Sequence, residues 1–338
     1  MTGSDLGALV PAPAGAGARE VACTLCGATG GPRLRGYDRK ADREVFEFLG
    51  LPEGTSRWTV CAGCGFVYQN PRPDPARVIA LYERGLYREH REYSDHFFRN
   101  RYRYPVEHYR WLARHVDVPP GARMLDIGAG FGGAVRAFRD LGARAEGIEA
   151  DPGVCEAART RFGVELRPGD VETVPLGAAA WDVIYSAHTH EHFADVVGVT
   201  RRLARMLVPG GHLLIVLPTF RFGARNAQGF LNVFHLSMFT ARTLERLFVR
   251  TGFEPVEFRY PLEHSRPEVW GIARRVEGAP TAALRRDAAR RVAWEIERAL
   301  ALFERLYRVT DVPLRGARAL RRRLEGRTRW PDWTGSRA

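Results

Sequence analysis

Lysine is almost missing from this chain: Lys40 is the only one among 338 residues. The net charge of +12 therefore rests on arginine, scattered through the sequence. A GC-rich coding sequence produces such a bias without selection for a polyanion, so the charge points only weakly to nucleic acid. Long apolar runs are missing as well. No stretch of eighteen apolar residues occurs, which argues against a transmembrane helix. The opening MTGSDLGALVPAPAGAGARE lacks the basic start and apolar stretch of a secretory signal. It reads as a flexible leader over residues 1–20, and a cytoplasmic protein is expected.

Cysteine is scarce but not random. Four of the five fall in two pairs, Cys23-x2-Cys26 and Cys61-x2-Cys64, each followed by glycine (Gly27, Gly65). Two such turns present four thiolates, the set a tetrahedral zinc requires. Without a secretory signal, disulfides are disfavoured. A closed four-sulfur site has no open position for substrate, so this zinc is expected to be structural. It would supply stability that a ribbon over 21–74 cannot draw from its own small core.

From Arg123 short apolar runs alternate with amphipathic segments. RMLDI, RAEGIEA, VELRP, WDVIYSA and HLLIVLP read as strands, with helices predicted at Phe131–Leu141, Pro152–Phe162, Ala194–Leu207 and Ala241–Thr251. Alternation of this kind implies a parallel sheet covered on both faces. The first strand runs into LDIGAGFGG, which satisfies both GxGxxG and GxGxG. The glycines alone do not choose a ligand. Asp126, two residues before the loop, repels a pyrophosphate but favours the ammonium and sulfonium of S-adenosylmethionine (SAM). Glu149 ends the second strand 21 residues after Gly128, where an acid accepts ribose hydroxyls.

These features, with Gly169-Asp170-Val171 and the MLVPGGHLLIVLP run, resemble class I SAM-dependent methyltransferases over roughly Gly121 to Val276. The resemblance implies an α/β fold: a doubly wound, seven-stranded Rossmann-like sheet with one antiparallel strand near its end. FEPVEFRY and VWGIARRV supply the last two strands. It also implies that Asp170 binds the adenine amino group and Val171 covers the ring. Asp126, Gly128, Ala129, Gly130, Glu149, Ala150, Ala187 and His188 complete the implied cofactor set. The cysteine pairs followed by GFVYQNPRPD and LYERGLY resemble a zinc-ribbon subgroup whose members act on sugars, polysaccharides or secondary metabolites.

SAHTHEHF follows the fourth core strand, on the ligand side of such a sheet. Three readings compete for it. In one, His188 lines the methionine part of SAM while Glu191 and His192 cap and pack the next helix. In the second, a histidine removes the proton of an acceptor hydroxyl, with His190, His192 and, from NVFHLSMFT, His235 as candidates. In the third, His188, Glu191 and His192 converge on a catalytic divalent metal; ubiquinone-type O-methyltransferases resemble this arrangement, with Glu at the first position.

Residues 75–118 read as an aromatic, arginine-rich helical cap or bridge, with Tyr109, Leu112 and Val116 at helical spacing and Tyr102 or Tyr104 over SAM. The core is expected over 119–276. A basic helical segment follows over 277–338, with a stripe of Val292, Ile296, Ala299, Phe303 and Leu306 suited to docking on the core or to a homodimer. The expected activity is methylation of a small-molecule hydroxyl. The alternatives are an RNA methyltransferase that grips RNA with the ribbon and arginines, and an inactive SAM- and zinc-binding scaffold. Against RNA stands the absence of an Asn/Asp-Pro-Pro-Tyr after the fourth strand.

Overall fold

The computed structural model describes residues 17–35, 43–51, 56–85, 93–219, 231–261, 267–277 and 298. Its N-terminal part is a small antiparallel sheet of β1 (Arg33–Arg35), β2 (Arg57–Val60) and β3 (Val67–Gln69), with α1 (Arg43–Leu49) between the first two strands. Helix α2 (Pro75–Glu83) starts where Asp74 accepts a hydrogen bond from the Ala76 amide at 2.8 Å, with Pro75 pre-set for the first turn. Helix α3 (Asp95–His115) is capped by Ser94, which accepts from Phe97 N at 3.3 Å. It buries His108, Trp111 and Leu112, and half-buried Tyr109 and Val116 extend that contact.

The larger unit follows in chain order: β4 (Arg123–Ile127), α4 (Gly133–Asp140), β5 (Arg144–Glu149), α5 (Pro152–Phe162), β6 (Arg167–Pro168), β7 (Trp181–Ala187), α6 (Val196–Met206), β8 (Leu207–Pro218), β9 (Ser237–Met238), α7 (Ala241–Arg250), β10 (Phe253–Arg259) and β11 (Glu268–Arg275). Helix α5 begins at Asp151, which accepts from Gly153 N and Val154 N, and ends at Gly163, whose φ of 63° closes the last turn. Helix α7 begins with a reciprocal cap between Thr240 and Thr243.

Seven strands form one sheet in the order β10-β11-β8-β7-β4-β5-β6. Strands β4 to β8 run parallel, and β11 runs antiparallel to both of its neighbours. The parallel part is the sheet expected from the alternating pattern, and the seven strands with one antiparallel are those the resemblance implies. Leu213 to Leu217 are fully buried, as a central strand covered on both faces demands. Strand β6 is the weakest match: only Arg167 and Pro168 of VELRP pair, at the sheet edge. The chain winds outward from β4 through β5 to β6, then crosses to β7 on the other side of β4. That reversal opens a crevice at the carboxyl ends of β4 and β7.

The two sheets are not separate bodies. Strand β9, from the segment between β8 and α7, pairs with β3, so the small sheet has the order β1-β2-β3-β9. Phe66 meets Phe239 edge-on at 5.0 Å, and Cys23, Cys61, Cys64, Phe66 and Tyr68 share one apolar cluster with Leu125 and Ile127. Arg72 is buried and donates to Ala194 O at 2.6 Å and Leu236 O at 3.2 Å. Residue 74 therefore ends the cysteine-bearing stretch in sequence, but not its packing. Of the expected leader, residues 1–16 lie outside the described residues, and so does the basic segment from 278 onward apart from Arg298. No described helix is long and apolar enough to cross a membrane.

Candidate functional site

One wall of the crevice is the glycine loop after β4. Gly128 has a φ of 66°, and a Cβ there would lie 2.6 Å from the Thr189 side chain, so only glycine lets the two loops meet. Gly130, at a φ of 53°, faces open space: a Cβ on it would meet nothing within 4 Å. Its amide donates to Glu149 Oε2 at 2.8 Å, while Asp151 N donates to Oε1 at 3.0 Å. The Glu149 carboxylate is thus fixed in orientation with further acceptor sites left on each oxygen. Ala129 N donates to Ile148 O at 2.8 Å, tying the loop to β5.

Burial pushes the carboxyl groups of Asp126 and Glu149 above their usual range. The charge of Glu149 adds to the effect at Asp126, and Arg101 opposes it. Two acids held this way suit cationic and hydroxyl-bearing groups, not a pyrophosphate. Gly169 N donates to Glu149 O at 2.9 Å and brings the next turn, with its neighbour Ala150, against the end of β5. There Asp170 Oδ1 accepts from Glu172 N at 2.7 Å, and burial raises the Asp170 pKa. Val171 is buried beside it. An open-faced glycine, an oriented ribose-type acceptor and an apolar cover over a polar edge fit SAM.

The opposite wall begins at Ala187 and His188. His188 has a φ of 55°, a costly conformation for a non-glycine residue, held by its amide bond to Val216 O at 2.9 Å. Its Nε2 lies 3.1 Å from Glu268 Oε1, and Glu268 Oε2 accepts from Trp270 Nε1 at 3.0 Å. A short 3-10 turn, His190–His192, follows. His190 is fully buried, with Nδ1 2.7 Å from Ser186 Oγ; burial pushes its pKa down to about 3 and keeps it neutral. It faces the core rather than the crevice.

His192 is held differently. Its Nδ1 sits 2.8 Å from Phe234 O and 2.7 Å from the Tyr82 hydroxyl. A carbonyl can only accept, so we assign the proton to Nδ1 and the lone pair to Nε2. The His235 ring lies 5.0 Å from that of His192, and Leu236 N donates to Glu191 O at 2.7 Å. Glu191 is 1% exposed, and neither carboxylate oxygen has a hydrogen-bond partner among the described residues. One ligand atom from each of Glu191, His192 and His235 lies within 4.8 Å of the other two. The structure therefore groups Glu191 and His192 with His235; His188 Nε2 is engaged by Glu268, and the turn is too short for the helical spacing expected of His188.

Three partners gave no signal in the sequence. Tyr82 lies in a segment that reads as cap, Glu268 opens an ordinary strand, and Arg72 is one arginine among many. Tyr102 is not over the loop: its hydroxyl donates to Asp140 Oδ2 at 3.0 Å, at the far end of α4. Tyr93, Phe97 and Phe98 instead pack against Phe131 of the glycine loop, with ring centroids 4.8, 5.6 and 5.3 Å away.

The four cysteines form a second cluster. All four Sγ atoms lie within 4.8 Å of one another, with Cys23–Cys64 at 3.7 Å and Cys26–Cys61 at 3.4 Å. None is in a disulfide. A tetrahedron with bonds of about 2.3 Å has edges of about 3.8 Å, so the cluster fits a four-thiolate zinc. Crowding sets the thiols against one another. Hydrogen bonds from Cys23 and Cys64 pull Cys61 down, and the bond to Cys61 pushes Cys23 up to about 12.

Residues 95–257 match the model of a methyltransferase domain family. Among curated proteins, the chain is 34% identical over 96 residues to the malonyl-[acyl-carrier protein] O-methyltransferase of Serratia marcescens, covering 28% of this chain and 38% of that one. It is 28% identical over 158 residues to a glycine/sarcosine/dimethylglycine N-methyltransferase of Actinopolyspora halophila, covering 44% of this chain and 28% of that one. The chain thus spans well under two thirds of either relative. Among solved structures, an S-adenosylmethionine-dependent methyltransferase from Mesorhizobium loti aligns at a TM-score of 0.42 and 20% identity, over 50% of this chain and 98% of the other. The methyltransferase of a Haloferax volcanii complex with its Trm112 activator aligns at 0.46 and 16%, over 54% and 95%. Residues 95–257 thus match a methyltransferase domain family, on a seven-stranded sheet whose order is that of the class I SAM-dependent methyltransferase fold.

Proposed function

We propose that the protein transfers a methyl group from SAM to a hydroxyl oxygen of a small-molecule acceptor, in the class of sugars and secondary metabolites, and that Cys23, Cys26, Cys61 and Cys64 hold a structural zinc. The observation that carries the hydroxyl reading is the wall of Glu191, His192 and His235. A hydroxyl is a poor nucleophile until it loses its proton, and a buried carboxylate beside two imidazoles is a proton-removing environment. His190 faces Ser186 and takes no part.

When bound, SAM supplies a methyl carbon made electrophilic by its sulfonium. Glu149 receives the ribose hydroxyls, Asp170 the adenine amino group under the cover of Val171, and Asp126 favours the cationic end. Ala129, Ala150, Ala187 and His188 line the same crevice. The His192 wall takes the acceptor proton as the oxygen forms its bond to the methyl carbon. The carbon–sulfur bond breaks with its electron pair staying on sulfur. Alignment of acceptor and methyl across the crevice supplies much of the rate.

The test is His192→Ala and His235→Ala, assayed for S-adenosylhomocysteine formation on a panel of glycosides and phenols, with SAM binding followed by calorimetry. Loss of the His192 group is expected to cut turnover by ~10²–10⁴-fold with SAM affinity nearly unchanged. If both variants keep wild-type turnover, no protein wall removes the proton and the hydroxyl reading falls.

A further inference from the structure

We infer that Glu191, His192 and His235 bind a divalent transition-metal cation, of the Mn²⁺, Fe²⁺, Co²⁺ or Zn²⁺ class, at the acceptor wall. Its mechanistic role rests on the hydroxyl reading above; its binding does not. The starting point is Glu191, which is 1% exposed and whose carboxylate is hydrogen-bonded at neither oxygen among the described residues. A buried carboxylate is costly unless something satisfies it. His188 Nδ1 and His192 Nε2 each stand at 3.8 Å from Oε1, too far to hydrogen-bond. An anion is repelled from this place, so a cation is the partner that fits.

His192 supplies an independent argument. Its Nδ1–H is engaged by Phe234 O at 2.8 Å, beside the Tyr82 hydroxyl, which leaves Nε2 with a lone pair on the Glu191 side. Metal-bound histidines carry this outer bond from the other ring nitrogen to a backbone carbonyl. The third ligand arrives through tertiary structure, where Leu236 N bonds Glu191 O at 2.7 Å and sets His235 beside the turn. Ligand atoms within 4.8 Å of one another need only a small closure around an ion with bonds of about 2.0–2.2 Å. Two imidazoles and one carboxylate suit the borderline divalent ions. Three protein ligands leave positions open for an acceptor hydroxyl; with the ion on Nε2, His192 acts as ligand rather than base, and the ion would lower the hydroxyl's pKa in its stead.

The experiment titrates the full chain, with its cysteine-bound zinc in place, with Mn²⁺ alone, reading free Mn²⁺ by electron paramagnetic resonance. Mn²⁺ is a hard ion that competes poorly for thiolates, so it reports the second cluster. One Mn²⁺ per chain is expected, with affinity at least tenfold weaker in Glu191→Gln and in His235→Ala. SAM binding by each variant verifies its fold, and Glu149→Gln keeps Mn²⁺ affinity. No Mn²⁺ on the wild type, or equal affinity in all three variants, overturns the metal site. If Mn²⁺ does not bind while His192→Ala still loses turnover, the cation is refuted and the hydroxyl reading stands. If Mn²⁺ binds as expected while His192→Ala keeps full turnover, the site stands and that reading falls.

Discussion

The cysteine cluster brings four sulfurs from two turns of the N-terminal part within 4.8 Å of one another, the number a tetrahedral metal site takes. The Glu191 cluster takes two side chains from one turn and a third from 43 residues further on, three in all. Four thiols would close a metal's coordination and suit stability; three side chains would leave positions open and suit chemistry. They are also mechanically joined. Strand β3 follows the Cys61–Cys64 turn and pairs with β9, which begins two residues after His235. The lesson is that the cysteine turns anchor the wall they appear, in sequence, to have nothing to do with.

Breaking the closed cluster is expected to have the largest effect. Cys61→Ser should take bound zinc from one per chain to none, measured by elemental analysis. A structural zinc contributes on the order of 10 kcal/mol in small zinc domains, comparable with the whole stability of a domain. Melting temperature should fall by more than ~10 °C, and turnover should fall with it because β9 loses its partner strand. Zinc retained in full by Cys61→Ser would remove the four-thiolate assignment. Next is Glu149→Ala, on the donor side and a member of neither cluster. At ~1.5–3 kcal/mol for a hydrogen bond to a charged acceptor, SAM affinity by calorimetry should drop tenfold or more. Mn²⁺ binding should not change.

A third comparison uses stability to read the open cluster. In chelator, Glu191→Gln should melt at or above the wild-type temperature, because it removes an unsatisfied buried carboxylate. Added Mn²⁺ should raise only the wild type, by an amount that grows with Mn²⁺ concentration. A variant that melts well below wild type in chelator would mean that Glu191 has a protein partner. The smallest effect is expected at Tyr82→Phe, which removes the hydroxyl 2.7 Å from His192 Nδ1. Turnover should fall by roughly 2–10-fold, the worth of one hydrogen bond, with SAM affinity unchanged.

The sheet was legible because its central strands are buried on both faces and so read as short apolar runs; WDVIYSA and HLLIVLP both lie within observed strands. The grouping of the cysteines was legible because each pair is set by spacing within one turn. The glycine loop and the acid ending β5 were legible for the same local reason. The Glu191 cluster was only half legible. SAHTHEHF announces polar chemistry, but a three-residue 3-10 turn sends His190 into the core and His192 outward, and no periodicity encodes that division. The approach of His235 depends on a two-residue strand whose partner lies about 170 positions upstream. Such pairing is decided by tertiary packing rather than by local propensity. Glu268 and Tyr82 were invisible for that reason too.

The most direct measurement separates the clusters in one sample. Wild-type protein is treated with a chelator mild enough to leave one zinc per chain, then assayed for methyl transfer before and after Mn²⁺ is restored. Loss of turnover with zinc content and melting temperature unchanged, reversed by Mn²⁺, is the expected result. Full turnover in the chelated protein, or turnover lost only in step with zinc, would contradict a functional metal at Glu191, His192 and His235.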